Sequence, residues 1–171
     1  MHVNTPAHRL PRIAALLATA LLVACATPFD VGTANRTLTP QAAAGNISAA
    51  QGTLVAWGGT IVAARNLKDN TEFEVLAFPL DRDNRPQPGS APTGRFIAIY
   101  PGFVETADYG PGREVSAIGS VTATRTGTVG EANYVFPVLS ASRIHLWPRE
   151  TASSSSTQPT IHFGIGIGVH R

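Results

Sequence analysis

Large apolar residues gather in two places along the chain: a short unbroken run near the start and a long alternating stretch in the middle. Alternation with a period of two sends every second side chain to one face, the pattern of a half-buried strand. It predicts five strands. Thr53 to Arg65 reads TLVAWGGTIVAAR, with Val55, Trp57, Ile61 and Ala63 on one face. The Gly58-Gly59 pair inside it predicts a bulge or sharp coil, as barrel corners require. Glu72 to Leu80, Gly94 to Tyr100, Arg113 to Arg125 and Asn133 to Trp147 follow, the last broken at Pro137. Between them lie a polar turn (66–70), a loop held open by three prolines (81–92), a connection with room for one helical turn (101–112) and a glycine-containing turn (126–132).

Val55 to Arg65 and Val115 to Arg125 form an internal repeat. Val, Gly, Ala and Arg recur at matching positions, and Thr60/Ser120 and Ile61/Val121 are similar. Each copy is followed by a turn and a strand containing a Phe-Pro pair, Phe78-Pro79 and Phe136-Pro137. Two long hairpins flanking a lone strand is the plan of a small OB-like five-stranded barrel. The fold class is therefore all-β, with a β-sandwich of the same strands as the alternative.

Outside residues 53–147 the pattern changes. Residues 13–24 (IAALLATALLVA) carry no charge, and the stretch before them holds Arg9 and Arg12 and no acid. The run is too short to span a bilayer comfortably and reads as a secretory signal. It ends in Leu22-Val23-Ala24-Cys25, a bacterial lipobox. The small Ala24 fits a narrow peptidase site, and Leu22 fills a pocket. Residues 1–24 are thus expected to be a lipoprotein signal peptide. The Cys25 thiol then takes diacylglycerol by thioether, and the amine freed by cleavage takes a third acyl chain. Each buried CH₂ contributes about 0.8 kcal/mol, so three chains make a permanent anchor. No cofactor other than this covalent lipid is expected. Ala26, where an Asp would retain the protein at the inner membrane, directs it to the outer membrane, facing the periplasm. The expected partners are outer membrane lipid and the lipoprotein processing and sorting machinery. Residues 25–52, small and polar, are expected to form a lipidated, flexible tether. Within it, Thr39-Pro40 can cap one short helix that Gly45 stops. Residues 148–171 read as a Ser-rich linker and a tail of alternating Ile and Gly (IHFGIGIGVHR), which could dock as an extra strand or await a partner.

Composition narrows the chemistry. One Cys excludes a disulfide scaffold and any multi-Cys metal site, and 14% charged residues argue against helical bundles. The formal charge of +2 belongs to the leader: once Arg9 and Arg12 leave, 11 basic residues face 11 acidic ones. A near-neutral domain in the envelope is not expected to bind nucleic acid. No nucleophile–base–orienter set is legible, since Cys25 is taken by lipid and His145, His162 and His170 lie in the last strand or the tail. His162 and His170 would stand about 26 Å apart on an extended tail, too far to share an ion. Asp81-Arg82-Asp83 begins like a calcium loop, but Arg85 replaces an oxygen ligand and the required Gly is absent. Glu72 and Glu74 lie on one strand face about 6.6 Å apart, a spacing compatible with a glycosidase carboxylate pair but more simply a solvated strand face. The chain is expected not to be an enzyme. On an OB-like barrel, Arg95, Tyr100, Phe103 and Tyr109 are the residues placed to line a binding surface for an envelope glycan or a periplasmic protein.

These residues carry a family resemblance. Trp57-Gly58-Gly59-Thr60-Ile61, Pro79-Leu80, Gly94-Arg95, Pro101-Gly102-Phe103, Val115 through Gly119-Ser120-Val121, and Ile144-His145-Leu146-Trp147 occur in that order behind the lipobox. The chain in this respect resembles the Slp family, the starvation-inducible outer membrane lipoproteins. The resemblance runs from the signal to about Arg149. It implies a lipid-anchored envelope protein linked to stress or stationary phase, and it supplies no catalytic residues. The Gly/Ile tail departs from the aromatic-rich extensions of some members.

Overall fold

A computed structural model describes residues 29–149. The leader, the lipobox, Cys25, and the linker and tail from residue 150 lie outside the described residues. Two short helices, α1 (Pro40–Gly45) and α2 (Ile47–Ala50), precede five strands: β1 (Leu54–Asn66), β2 (Asn70–Phe78), β3 (Gly94–Pro101), β4 (Glu114–Val129) and β5 (Ala132–Leu146). The strands close into a barrel in the order β1-β2-β3-β5-β4, so a single ring replaces the two layers of the alternative sandwich. All neighbours are antiparallel except β3 and β5, which meet in parallel over Ile97↔Val138 to Ile99↔Ser140. Inside, Val55, Trp57, Ile61, Phe73, Val75, Phe96, Val121 and Leu139 form one core.

The repeat is structural. β1 and β4 pair antiparallel about Trp57↔Ala117, and each pair maps onto another when 60 is added: Leu54↔Ser120 onto Thr60↔Glu114. A local two-fold axis therefore relates the two hairpins. Each copy carries a bulge at the same place, Val62 in β1 and Thr122 in β4. The expected bulge at Gly58-Gly59 thus falls three residues later. It reverses the inward phase, so Ala63 is exposed and Ala64 packs on the core instead. The Phe-Pro pairs are not equivalent. Phe78 opposes Gly58, whereas Phe136 opposes Arg125, the repeat mate of Arg65, which itself faces Glu72. Nor does Pro137 break β5: it sits beside the Thr122 bulge and just before β3 joins, where a missing N–H is tolerated.

The largest departure concerns residues 29–52, which form a folded strap rather than a tether. Phe29, Ala34, Ala56 and Ile118 make a second apolar cluster outside the barrel, with Val31, Leu80 and Trp147 packed against it. Residues 55–59 and 115–119 are buried without alternation because the core covers one face, and the strap together with Leu80, Asn84 and Trp147 covers the other. Asn35 joins the edge of β1, donating to the Leu54 carbonyl (2.8 Å) and accepting from Ala56 (3.0 Å). Its side chain accepts from the Thr37 and Leu38 amides, which turns the chain towards α1. The Leu38 carbonyl then accepts from the Trp57 indole at 2.6 Å. α1 starts as its residues dictate, with Pro40 in the first turn and the Thr39 hydroxyl accepting from Ala42. Ala43 and Ala50 are buried in the barrel core. Thr39→Ala is expected to cost about 1 kcal/mol by urea denaturation, the usual value of such a cap.

Candidate functional site

On the barrel wall, residues alternate between core and exterior. Phe73, Val75 and Ala77 of β2 point inward, so Glu72 and Glu74 lie on the outer face. The β4–β5 hairpin extends beyond the Thr122 bulge and brings Arg125 and Phe136 over that face. Together with Arg65, Ile97 and Thr126 they line a groove of about 240 Å³. On an OB-like barrel this outer face of β2 and β3 is where ligands bind.

Here the face is closed by ion pairs. One oxygen of Glu72 accepts from Arg65, and the other from Arg125 at 2.6 Å. Glu74 accepts from Arg95 at 2.7 Å. The Glu72 side chain is only 7% exposed, whereas those of Arg65 and Arg125 are 66% and 43% exposed. Burial alone would raise the Glu72 pKa, but the hydrogen bonds and charges of Arg125 and Arg65 outweigh it and hold the carboxyl below the ordinary carboxylate range. Such a group stays ionised at neutral pH and offers no proton, and each oxygen already has a partner. Glu72 is therefore unsuited to the proton-donating role of glycoside cleavage.

The four residues nominated for binding do not share a surface. Arg95 points outward to Glu74, and its backbone amide donates to the Tyr134 hydroxyl at 2.9 Å. Tyr100, on the other face of β3, packs against the core. Tyr109 also packs there, its ring 5.4 Å from Phe73, and burial with Tyr100 nearby raises its hydroxyl pKa. Phe103 stands apart on the β3–β4 connection, 67% exposed. Lipobox residues Leu22, Val23 and Ala24, with Cys25, lie outside the described residues. Asp81-Arg82-Asp83 forms a turn in which the Asp81 carboxylate accepts from the Asp83 and Arg85 amides (2.8 and 2.9 Å). Among the described residues no three His, Cys, Asp or Glu gather as metal ligands would.

Two features escaped sequence reasoning. One is a cleft of about 550 Å³ between the strap and the β1–β2 hairpin, lined by Arg36, Leu38, Trp57, Phe78 and Leu80. The other is a ladder of rings where the strap meets the end of β5. Phe29 stacks on His145 at 5.3 Å, and His145 meets Trp147 edge-on at 4.4 Å. Arg143 lies 4.9 Å from the Phe29 ring and Arg85 5.8 Å from Trp147. Burial, with Arg143 alongside, lowers the His145 pKa, so the imidazole is neutral at neutral pH. The signal for both was the apolar content of Phe29, Val31 and Leu38 within an otherwise polar segment.

A small OB-like barrel, strapped by its own N-terminal segment and closed on its outer face, is the class of protein these features define. The family model of the outer membrane lipoprotein Slp family matches residues 22–166, and the chain belongs to that family. An uncharacterized protein of Haemophilus influenzae is 32% identical over 104 residues, 60% of this chain. The match spans only 55% of that relative's length. A crystal structure of a small single-stranded DNA-binding protein from Streptomyces coelicolor aligns with 56% of this chain and 94% of its own, at 14% identity and a TM-score of 0.34.

Proposed function

We propose that the protein is a non-enzymatic envelope lipoprotein, held at the periplasmic face of the outer membrane by diacylglycerol and an N-acyl chain on Cys25, with a role in stress or starvation. The observation that carries this reading is positional. The family match opens at Leu22, the first residue of the lipobox, and runs through the barrel. Lipobox and barrel thus fall within one family match, which supports reading them as one unit. The engagement of Glu72 and Glu74 by three arginines supports the non-enzymatic part.

Metabolic labelling with palmitate tests the anchor. The wild-type chain is expected to take up label and to sediment with outer membranes, and globomycin to cause precursor to accumulate. Cys25→Ser is expected to lose the label and leave the membrane fraction. Unchanged labelling of Cys25→Ser would refute the anchor.

A further inference from the structure

Folding of the strap begins almost at the proposed anchor. Phe29 is 7% exposed. Its ring lies against His145 and Arg143. The Phe29 carbonyl accepts from the Asn84 amide at 2.8 Å, and the Asp30 carbonyl from Arg143 at 2.9 Å. The chain is thus clamped to the barrel at residue 29. Only Ala26, Thr27 and Pro28 separate that clamp from Cys25.

This length is decisive. Four residue steps span at most about 14 Å when fully extended. The headgroup layer of one leaflet alone takes roughly 5–8 Å of that reach. A flexible tether over residues 25–52 would have averaged about 29 Å end to end, enough for a domain this size to tumble free of the surface. With a reach of about 14 Å it cannot turn its Phe29 side away from the lipid.

That side also has suitable chemistry. The Phe29–His145–Trp147 ladder ends in a half-buried indole, and Arg143 and Arg149 are exposed near its two ends. Indoles and guanidinium groups favour the headgroup zone, where an apolar body meets water and phosphate. Four acids lie near this patch: Glu114 is paired with Arg85 at 2.7 Å, the Asp30 carboxylate accepts from the Gly32 amide, and Asp81 and Asp83 stand on the turn whose Asn84 holds Phe29, Asp81 accepting from the Asp83 and Arg85 amides. We infer that this end of the barrel, centred on Phe29, His145 and Trp147, rests on the phospholipid headgroups of the leaflet that holds the anchor. The inference builds on the proposed acylation of Cys25. It fixes an orientation: the β4–β5 hairpin tip at Gly130-Glu131, twelve residues along β4 from Ile118 of the strap cluster, points into the periplasm. Those twelve steps correspond to about 40 Å of strand.

The test uses the full acylated chain in vesicles of phosphatidylethanolamine and phosphatidylglycerol containing a headgroup-nitroxide lipid. Because acylation consumes Cys25, an added cysteine is the sole reactive thiol. Fluorophores are placed at Pro148→Cys, beside Trp147 and far along the chain from the anchor, and, separately, at Glu131→Cys, both exposed positions. The label at 148 is expected to lose about half its emission or more, since docking brings it within roughly a headgroup thickness of the quencher, and the label at 131 to be unaffected. Equal quenching at both sites, or none at either, in protein that retains its palmitate would overturn the docking and leave the anchor standing. If Cys25 carries no acyl chain, anchor and docking fall together.

Discussion

Gly59→Ala and Gly119→Ala are each expected to cost about 3 kcal/mol or more, the upper range for overpacking a close-packed site. A Cβ at Gly59 would stand 2.0 Å from the Leu76 carbonyl oxygen, and one at Gly119 would stand 2.1 Å from that of Ser140. Neither obstacle is a side chain that can swing aside. Each belongs to the strand paired with the glycine, so relief requires parting β1 from β2 or β4 from β5. The two-fold relation makes the prediction paired: both variants should lose stability to similar degrees in urea denaturation. Gly89→Ala is the control. A Cβ there meets nothing within 4 Å, and the substitution is expected to be neutral or to stabilise by roughly 0.4–1 kcal/mol through the unfolded chain. Wild-type stability in either glycine variant would show that the strands do not approach as described.

The same glycines show why much of the barrel is legible in the sequence. Close approach of two backbones restricts residue choice severely, so Gly59 and Gly119 stand out in a repeat that is otherwise loose. Alternation did the rest for β2 from Phe73 onward, where the outer face stays partly exposed; β3 was legible as a short apolar run, with Phe96, Ile97 and Ala98 buried in succession. Alternation failed where both faces are covered. In β1 and β4 the strap together with Leu80, Asn84 and Trp147 buries the outer side, and Val62 and Thr122 bulge without any glycine to mark them.

The strap was illegible for a related reason. Its residues are mostly small and polar, and they gain burial only from a surface that the barrel creates. Local composition cannot show that Ala34 packs on Ile118 or that Asn35 pairs with Val55, residues far apart in the chain. The candidate site divides in the same way. The lipobox is a local motif and needs no fold to be recognised. The outer groove needs Arg65, Glu72 and Arg125 together, and only the second hairpin brings Arg125 to Glu72, 53 residues away. Arg95 and Tyr100, five apart on one strand, necessarily face opposite ways, so a binding surface containing both conflicts with strand geometry.

Removing both arginines from Glu72 is expected to reverse how that residue responds to pH. In the wild type its native pKa is depressed, so the stability it contributes is present above the ordinary carboxylate range and is lost as pH falls through the depressed value. With Arg65→Ala and Arg125→Ala combined, a carboxylate only 7% exposed keeps its burial and loses its compensation. Its native pKa should then rise above the unfolded one. The loss is expected to be about 3 kcal/mol at neutral pH, the lower end for a broken buried pair because both guanidinium groups are largely solvated. Either single variant should lose less, since the remaining arginine still holds one oxygen. The deficit relative to wild type should shrink as pH falls below the carboxylate range, where both chains carry a neutral Glu72. Adding Glu72→Gln to the double variant should restore most of the loss at neutral pH, because no charge remains to be buried. Urea denaturation of the four variants across pH distinguishes the causes. A deficit that stays constant with pH and survives Glu72→Gln would mean that the arginine stems act by packing, and that the charge of Glu72 is not what holds the second hairpin against the barrel wall.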